Sequence, residues 1–167
     1  PAFAANFRYA EDQAPATSNP LFGSTMVEAR VSELLFDGLY TDDEDLATIP
    51  ALAESAELSP DRLKMTLRLR TGMMWHDGEP VTAKDVVFTI QAMQDKGTAS
   101  TEAGRAAWIK AATAVDDLTV SLDFVRPEGR PEDKLLFKIL PAHRFASTSV
   151  KRSDAFRQSP VGSGPWK

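Results

Sequence analysis

The chain of 167 residues has 19 basic and 24 acidic side chains, a formal net charge of −5, and 43% of its residues are hydrophobic. This length and composition suit a globular chain that can bury a core of its own. The acidic balance argues against a nucleic-acid surface, which needs clustered Lys and Arg. The absence of cysteine excludes disulfides, zinc-finger sites and thiol catalysis.

The charge is unevenly distributed along the chain. Residues 1–60 contain 11 acidic and 2 basic side chains, whereas residues 61–167 contain 13 and 17. This pattern favours two solvated faces of one domain over an acidic patch for a cationic ligand, and both readings stay open. The acidic run 42–45 lacks the alternating ligands, glycine and distal glutamate of a calcium loop, so we expect an exposed turn there.

The first predicted elements are a short strand at Phe7–Ala10, a loop over residues 11–23, and a helix at Val27–Asp37. Apolar residues in the helix recur with a period of about 3.6 residues, which is typical of a helix with one buried face. These residues are Val27, Val31, Leu34 and Leu35. Ser24 or Thr25 can cap the start of this helix.

Strict alternation of apolar and polar residues predicts a strand at Leu63–Arg70, with Leu67 and Leu69 on its buried face. The alternation returns at Val120–Phe124, and Ala112–Val115 should pair with that strand as a hairpin. With the helices, these strands predict an α/β fold of α+β character, in which helices flank a mixed sheet. The expected core includes Leu67, Leu69, Ile90 and Leu122.

Two helices are predicted between these strands, at Thr82–Gln94 and Glu102–Lys110. Thr82 should cap the first of them, with Asp85 in its first turn. Two shorter helical pieces are predicted at Lys134–Leu140 and His143–Ala146. We expect Trp75 to belong to the core.

No catalytic or metal-binding motif is present in the sequence. The two histidines, His76 and His143, lack partners at matched spacing, so surface or structural roles are favoured. A Gly-x-Ser-x-Gly nucleophile elbow is absent. The segment Gly162–Gly164 lacks the lysine of a phosphate-binding loop, and its glycines favour an unusual backbone turn. We therefore expect no enzymatic activity, no metal and no cofactor.

Arg105 and Trp108 are three residues apart, so on a helix they would share a face. Such a pair can form a ligand platform through stacking and charge. The same pattern also fits an amphipathic helix that packs the tryptophan into the core, and the spacing alone favours packing.

Several segments, in this order, resemble the family 5 solute-binding proteins of ABC importers, which bind oligopeptides, dipeptides or nickel. The matching segments are VSELLFDGLY (31–40), PALAES (50–55), LRLRTG (67–72), WHDGEPVTAKDVVF (75–88), VDDLTV (115–120), LPAH (140–143) and PVGSGPWK (160–167). The resemblance implies a two-lobed protein that closes on its ligand without covalent chemistry and delivers it to a membrane permease.

The resemblance also implies a division of the chain. Residues 1–40 would begin the first lobe, residues 41–150 would form its inserted subdomain, and residues 151–167 would return to the first lobe. The second lobe would be absent from this chain. The implied location is periplasmic or otherwise extracytoplasmic, with a signal peptide removed, and the piece is expected to be monomeric.

The resemblance marks four residues for ligand binding. Arg105-Ala-Ala-Trp108 matches an Arg-x-Ala-Trp segment that faces the ligand cleft in nickel-type relatives. Asn19 and Met26 lie where relatives line the cleft from the N-terminal side. Two alternatives remain, an interaction or sensor module with the same fold and, less favoured, a hydrolase.

Overall fold

A computed structural model describes residues 10–145, 150 and 153–166, except for the side chains of 154 and 155. Residues 7–9 of the predicted first strand lie outside this range, and Ala10 belongs to no regular element. The helices are α1 (Met26–Leu35), α2 (Ala83–Gln94), α3 (Ala103–Ala106) and α4 (Asp154–Gln158), with 3₁₀ turns at Pro131–Lys134 and Ala142–Phe145. The strands are β1 (Tyr40–Asp42), β2 (Thr48–Pro50), β3 (Ala53–Leu58), β4 (Lys64–Leu69), β5 (Ile109–Ala114) and β6 (Thr119–Phe124).

The centre of the fold is a four-stranded sheet with the strand order β3-β4-β6-β5. Its pairs are all antiparallel, where we expected a mixed sheet. Leu67 pairs with Val120, and Met65 pairs with Leu122. These four side chains are fully buried, so the predicted alternation is confirmed. The helix-and-sheet class is confirmed as well.

The opposite face of this sheet is polar and faces water. Lys64 pairs with Asp123 at 3.4 Å, and Arg68 pairs with Glu54 at the same distance. Exposed ion pairs of this kind contribute little to stability. The sheet therefore depends on its inner face, as is common for antiparallel sheets.

Helix α2 packs against β5 and β6 and confirms the helix predicted at Thr82–Gln94. Its Val86, Ile90 and Met93 are fully buried. The buried Asp85 carboxylate ties the start of the helix to its surroundings. One oxygen accepts from the Thr82 amide at 2.8 Å, and the other accepts from the Ala142 amide at 2.8 Å.

The helix predicted at Glu102–Lys110 is wrong beyond its first turn. Only Ala103–Ala106 is helical, and Ile109 already begins β5. The Gln94 side chain donates to the carbonyls of Ala106 and Ile109, at 3.0 and 2.6 Å. This amide takes up carbonyl groups that a longer helix would have bonded internally, and the chain continues as a strand paired with β6.

The helix predicted at Lys134–Leu140 is also wrong. The 3₁₀ turn ends at Lys134, and none of residues 135–140 is helical; Lys138 forms an isolated bridge with Gly38. The piece predicted at His143–Ala146 is a 3₁₀ turn at Ala142–Phe145, and Ala146 lies outside the described residues. Trp75 is buried as expected, and it lies in the segment closed by the bridge between Met74 and Pro80.

Helix α1 is held differently from α2. Thr25 caps it, and Glu28 accepts from the Thr25 amide at 3.0 Å, which completes a capping box. The predicted apolar stripe is only half-buried, whereas Glu28 and Ser32 are buried. Hydrogen bonds from Ser24 and Thr25 outweigh burial and hold the pKa of Glu28 below its usual value.

Residues 161–166, which we call the return segment, run against the end of α1. The amide of Gly164 donates to the Leu35 carbonyl at 3.0 Å. A Cβ added at Gly162 would lie 1.7 Å from that same carbonyl oxygen. The close approach of two backbone segments therefore explains why residue 162 is a glycine. We had expected the glycine to allow an unusual turn. None of the helices in the described part of the chain is long and apolar enough to cross a membrane.

Candidate functional site

Helix α3 lies between two concavities. The first, which we call the α1–α3 cavity, has a volume of about 120 Å³ and lies between α1, α3 and residues 136–138. Its charged lining residues are Glu33, Glu102, Arg105 and Lys138.

The charges of the α1–α3 cavity form two ion pairs. Arg105 Nη1 lies 3.0 Å from Glu102 Oε2, and Lys138 Nζ lies 2.6 Å from Glu33 Oε2. The Lys138 side chain is only 10% exposed, whereas the Glu33 side chain is 63% exposed. The cavity therefore offers charged groups of both signs to a small polar ligand. Burial raises the pKa of the neighbouring Asp37, although a Ser163 hydrogen bond and Lys138 oppose this.

The second concavity, which we call the Trp108 groove, is wider, with a volume of about 500 Å³. Its lining residues are Gly104, Ala107, Trp108, Val125, Arg126 and Lys134. The Trp108 ring packs against Phe124 with a centroid distance of 4.9 Å, and Lys134 Nζ lies 5.0 Å from the centroid of the Trp108 ring. This is the geometry of a cation–π contact. The groove therefore combines an aromatic face with positive charge.

The buried Glu128 supports the cations of the Trp108 groove. Its Oε2 accepts from Lys134, and Arg126 Nε lies 3.6 Å from its Oε1, which has no hydrogen bond among the described residues. The Lys134 hydrogen bond and charge outweigh burial and lower the pKa of Glu128. Glu128 is therefore an anion that fixes Lys134 beside the ring.

Arg105 and Trp108 do not share a helical face, which corrects the geometry we expected. Helix α3 ends at Ala106, and Trp108 lies beyond it. The Trp108 indole nitrogen donates to the Arg105 carbonyl at 2.8 Å, but the two side chains line different concavities. Trp108 also packs against the core. Ligand contact by either side chain stays a prediction.

The two residues predicted from the N-terminal side differ in exposure. Asn19 is 5% exposed, and its side chain accepts from the Leu21 amide at 3.1 Å and lies 3.4 Å from the Val150 carbonyl. Met26 is 68% exposed. Neither lines the α1–α3 cavity, although Leu21 and Thr25 do. A role for Asn19 or Met26 in binding stays a prediction.

The two histidines lie apart from both concavities. His143 Nε2 lies 2.8 Å from Asp77 Oδ2, and the His76 ring contacts the backbone of Gly162 and Gly164. Within the described ranges, no group of three or more His, Cys, Asp or Glu side chains is placed to hold a metal ion.

Sequence reasoning missed Lys134, Lys138 and Glu128. The partner of Lys138 is Glu33, which is 105 positions away, so no local spacing could reveal the pair. Lys134 and Glu128 are six positions apart across a loop, which is not a helical spacing. A lysine within an apolar run, as in LLFKIL, was the one available signal for Lys138.

Comparison with known proteins identifies the family. The profile of the bacterial extracellular solute-binding proteins, family 5 Middle, matches residues 47–167. A Brucella ovis protein, whose name assigns it provisionally to ABC transporter peptide binding, is 35% identical over 137 residues, which cover 79% of this chain and 26% of the relative.

Two solved structures share the fold. NikZ from Campylobacter jejuni, in complex with Ni(L-His), has a TM-score of 0.83 and 30% identity over 93% of this chain and 31% of NikZ. The oligopeptide-binding protein AppA from Bacillus subtilis, in complex with a nonapeptide, has a TM-score of 0.83 and 26% identity over 92% of this chain and 32% of AppA.

The chain therefore spans about a quarter of the length of the curated relatives that it matches first. The profile match extends over more than half of the chain, and the matching structures are binding proteins. The chain belongs to family 5 of the bacterial extracellular solute-binding proteins, which is a family of binding proteins and not of enzymes.

Proposed function

We propose that this chain is part of an extracytoplasmic solute-binding protein of an ABC importer. The whole protein binds a peptide or a nickel chelate and presents it to permease subunits in the membrane. Residues 1–40 begin its first lobe, residues 41–150 form an inserted subdomain, and residues 151–167 return to that lobe. The bound ligands of AppA and NikZ, a nonapeptide and Ni(L-His), support these two ligand classes.

The observation that carries this proposal is the Trp108 groove within a chain of this family. The Trp108 ring is half-buried against Phe124, and its exposed part can cover an apolar part of a ligand. Lys134 and Arg126 add positive charge at the same place. A ligand with an apolar part and a carboxylate fits this combination.

The α1–α3 cavity supplies the second set of contacts in this proposal. The Arg105 guanidinium is half-exposed, and it can exchange Glu102 for a ligand carboxylate or chelate oxygen with little change in burial. Its planar fork suits a carboxylate better than a lysine would. A second lobe then closes over the ligand, because contacts with both lobes stabilise the closed state.

The test uses the whole gene product that carries this chain, titrated calorimetrically with a nonapeptide and with Ni(L-His). Charge-assisted hydrogen bonds contribute about 1.5–3 kcal/mol, so Arg105→Ala should weaken binding roughly tenfold or more. The matched control is Arg68→Ala, because Arg68 is also a half-exposed arginine paired with a glutamate, on the far face of the sheet. The control should bind like wild type.

Trp108 needs a variant that separates binding from packing. Trp108→Ala should weaken binding by a similar factor if the ring covers the ligand. Trp108→Phe keeps an aromatic ring against Phe124 and should retain the fold. If Trp108→Ala unfolds the protein while Trp108→Phe binds like wild type, the tryptophan is a core residue only. If both probes fail to bind wild type, the transport proposal is wrong, and a sensor or interaction module becomes the better reading.

A further inference from the structure

A third concavity, which we call the Tyr40 concavity, lies between the β1–β2 hairpin, β3 and the loop at residues 129–133. Its volume is about 460 Å³, which falls within the range of about 300–1,000 Å³ that is typical of small-molecule sites. It shares no lining residue with the α1–α3 cavity or the Trp108 groove. Its polar side chains are Tyr40, Thr48, Ser55, Arg130, Glu132 and Asp133.

Backbone hydrogen bonds hold the walls of the Tyr40 concavity together. Tyr40 pairs with Pro50 across the hairpin, and the Tyr40 amide donates to the Leu135 carbonyl at 3.4 Å. The Leu135 amide in turn donates to the Glu132 carbonyl at 3.0 Å. Tyr40 and Glu132 are therefore positioned by the fold itself, without a ligand.

Tyr40 supplies a hydroxyl group that has no hydrogen-bond partner among the described residues. Only 5% of this residue is exposed. Within the described ranges, Glu128 Oε1 is the one fully buried side-chain oxygen or nitrogen that lacks a hydrogen bond. The Tyr40 oxygen is therefore not sealed in the core, and it is reached by solvent from the concavity that Tyr40 lines. A ligand in the concavity can bond to it.

The Tyr40 hydroxyl keeps its proton at neutral pH. Burial and the charge of the Glu132 carboxylate raise the pKa of Tyr40 to about 12. A protonated tyrosine hydroxyl can both donate and accept a hydrogen bond. The concavity therefore places a neutral acceptor near a carboxylate.

The charges of the concavity leave that carboxylate without a cation. Arg130 is bonded to Asp133 through two nitrogens, at 3.1 and 3.2 Å, so these two charges neutralise each other. Glu132 is half-buried, and no ion pair joins it to another residue in the part of the chain that the structure describes. The lining therefore carries a net negative charge at Glu132.

A primary ammonium group matches this set of side chains. It has a positive charge, three N–H donors and no acceptor. Glu132 offers a charged acceptor, and the hydroxyl groups of Tyr40 and Ser55 offer neutral ones. Hydrogen bonds between an ammonium and a carboxylate are stronger than those between neutral groups.

We propose that the Tyr40 concavity binds a small organic ammonium ion, which is held by the Glu132 carboxylate and the Tyr40 hydroxyl. Binding here uses none of the residues assigned to the peptide or nickel ligand. Either function can therefore fail in experiment without the other.

The experiment is saturation-transfer NMR on the whole gene product, with n-butylammonium chloride as the probe. It is carried out at pH 7 and at an ionic strength fixed with KCl. We expect saturable binding with a Kd on the order of 1–10 mM, because few groups contact so small an ion. The neutral analogue n-butanol should bind more weakly, since it lacks the charge.

Two variants and a control decide the assignment to this concavity. Glu132→Gln keeps the size of the side chain and removes its charge, and it should weaken n-butylammonium binding roughly tenfold or more. Tyr40→Phe should weaken binding about threefold to tenfold. It should leave the thermal unfolding midpoint nearly unchanged, because the hydroxyl has no described partner to lose. The matched control is Glu79→Gln, since Glu79 is an exposed carboxylate outside the concavity, and this variant should bind like wild type.

Thermal unfolding of each variant establishes that it is folded. Three results would overturn the proposal: no saturable binding to the wild type, n-butanol binding as tightly as the amine, or amine binding that Glu132→Gln leaves unchanged.

Discussion

The β3–β6 sheet with α2 and the α1 region with the return segment are built by different means. In the sheet, the paired strands all lie within residues 53–124, and their inner-face side chains are buried and apolar. In the α1 region, the apolar stripe is half-buried, Glu28 and Ser32 are buried, and backbone hydrogen bonds hold distant residues together. Packing of buried apolar side chains thus stabilises the first region. In the second region, close contact between hydrogen-bonded backbone segments holds the chain in place.

The largest expected effect contrasts two leucines. Leu67→Ala should lower the free energy of unfolding by about 2–5 kcal/mol, because it empties a fully buried position on the inner face of the sheet. Leu34→Ala should cost about 1 kcal/mol, since that side chain is only half-buried. Urea unfolding of the two variants measures the contrast. Equal losses would show that the two regions do not differ in packing.

Substitutions at two glycines test whether the two backbone segments approach as closely as described. Gly162→Ala should destabilise by about 1–3 kcal/mol, because its methyl group meets the Leu35 carbonyl and forces the backbones apart. Gly104→Ala is the matched control, since nothing lies within 4 Å of a Cβ added there. The control should be neutral or gain about 0.4–1 kcal/mol. Thermal unfolding compares them, and a Gly162→Ala variant as stable as wild type would refute the close approach.

A substitution of Thr82 tests how much its hydroxyl group stabilises the start of α2. Its hydroxyl lies 3.1 Å from Asp85 Oδ2, and Thr82→Ala should cost about 0.5–2 kcal/mol. The cost should stay at the low end, because the Thr82 amide still bonds Asp85 in the variant. An unchanged denaturant midpoint would show that the Thr82 hydroxyl does not stabilise this helix.

The smallest effect is a pH dependence at Asp77, in the turn between β4 and α2. Partial burial opposes ionisation of Asp77, but the His143 hydrogen bond and other donors outweigh it and lower the pKa of Asp77. A lowered pKa stabilises the folded state above the unfolded value of about 3.9, and this gain is lost as the pH falls through the folded value.

The comparison of wild type with Asp77→Asn isolates the contribution of the ionised Asp77 carboxylate to stability. The stability difference should shrink below about pH 4, where the Asp77 carboxylate takes up a proton. Unfolding midpoints at a series of pH values measure it. A difference that persists at pH 2 would assign the effect to something other than the Asp77 charge.

The sequence predicts the first of the two regions well, because its signals are local. Alternation located β4 and β6, and the cap at Thr82 with Asp85 located the start of α2. The predicted helices at Glu102–Lys110 and Lys134–Leu140 fail because their alternatives depend on distant partners, the Gln94 side chain and the Gly38 bridge.

The candidate site shows the same limit. Arg105 and Trp108 could be singled out from their spacing and the family resemblance, but their shared face could not be judged without the end of α3. Lys138 escaped notice because its partner Glu33 lies on α1, far away in sequence. Residues that are distant in sequence and pair only after the chain has folded back leave no periodic pattern in the sequence.

The polar outer face of the sheet gives this chain a practical use. Thr66 lies exposed at the centre of that face, between Glu57 on one neighbouring strand and Ser121 on the other. Since the chain contains no cysteine, Thr66→Cys would introduce its single thiol. A fluorophore or spin label attached there would sit in water, on the opposite side of the sheet from α2, and could report on motions of the protein without disturbing its core.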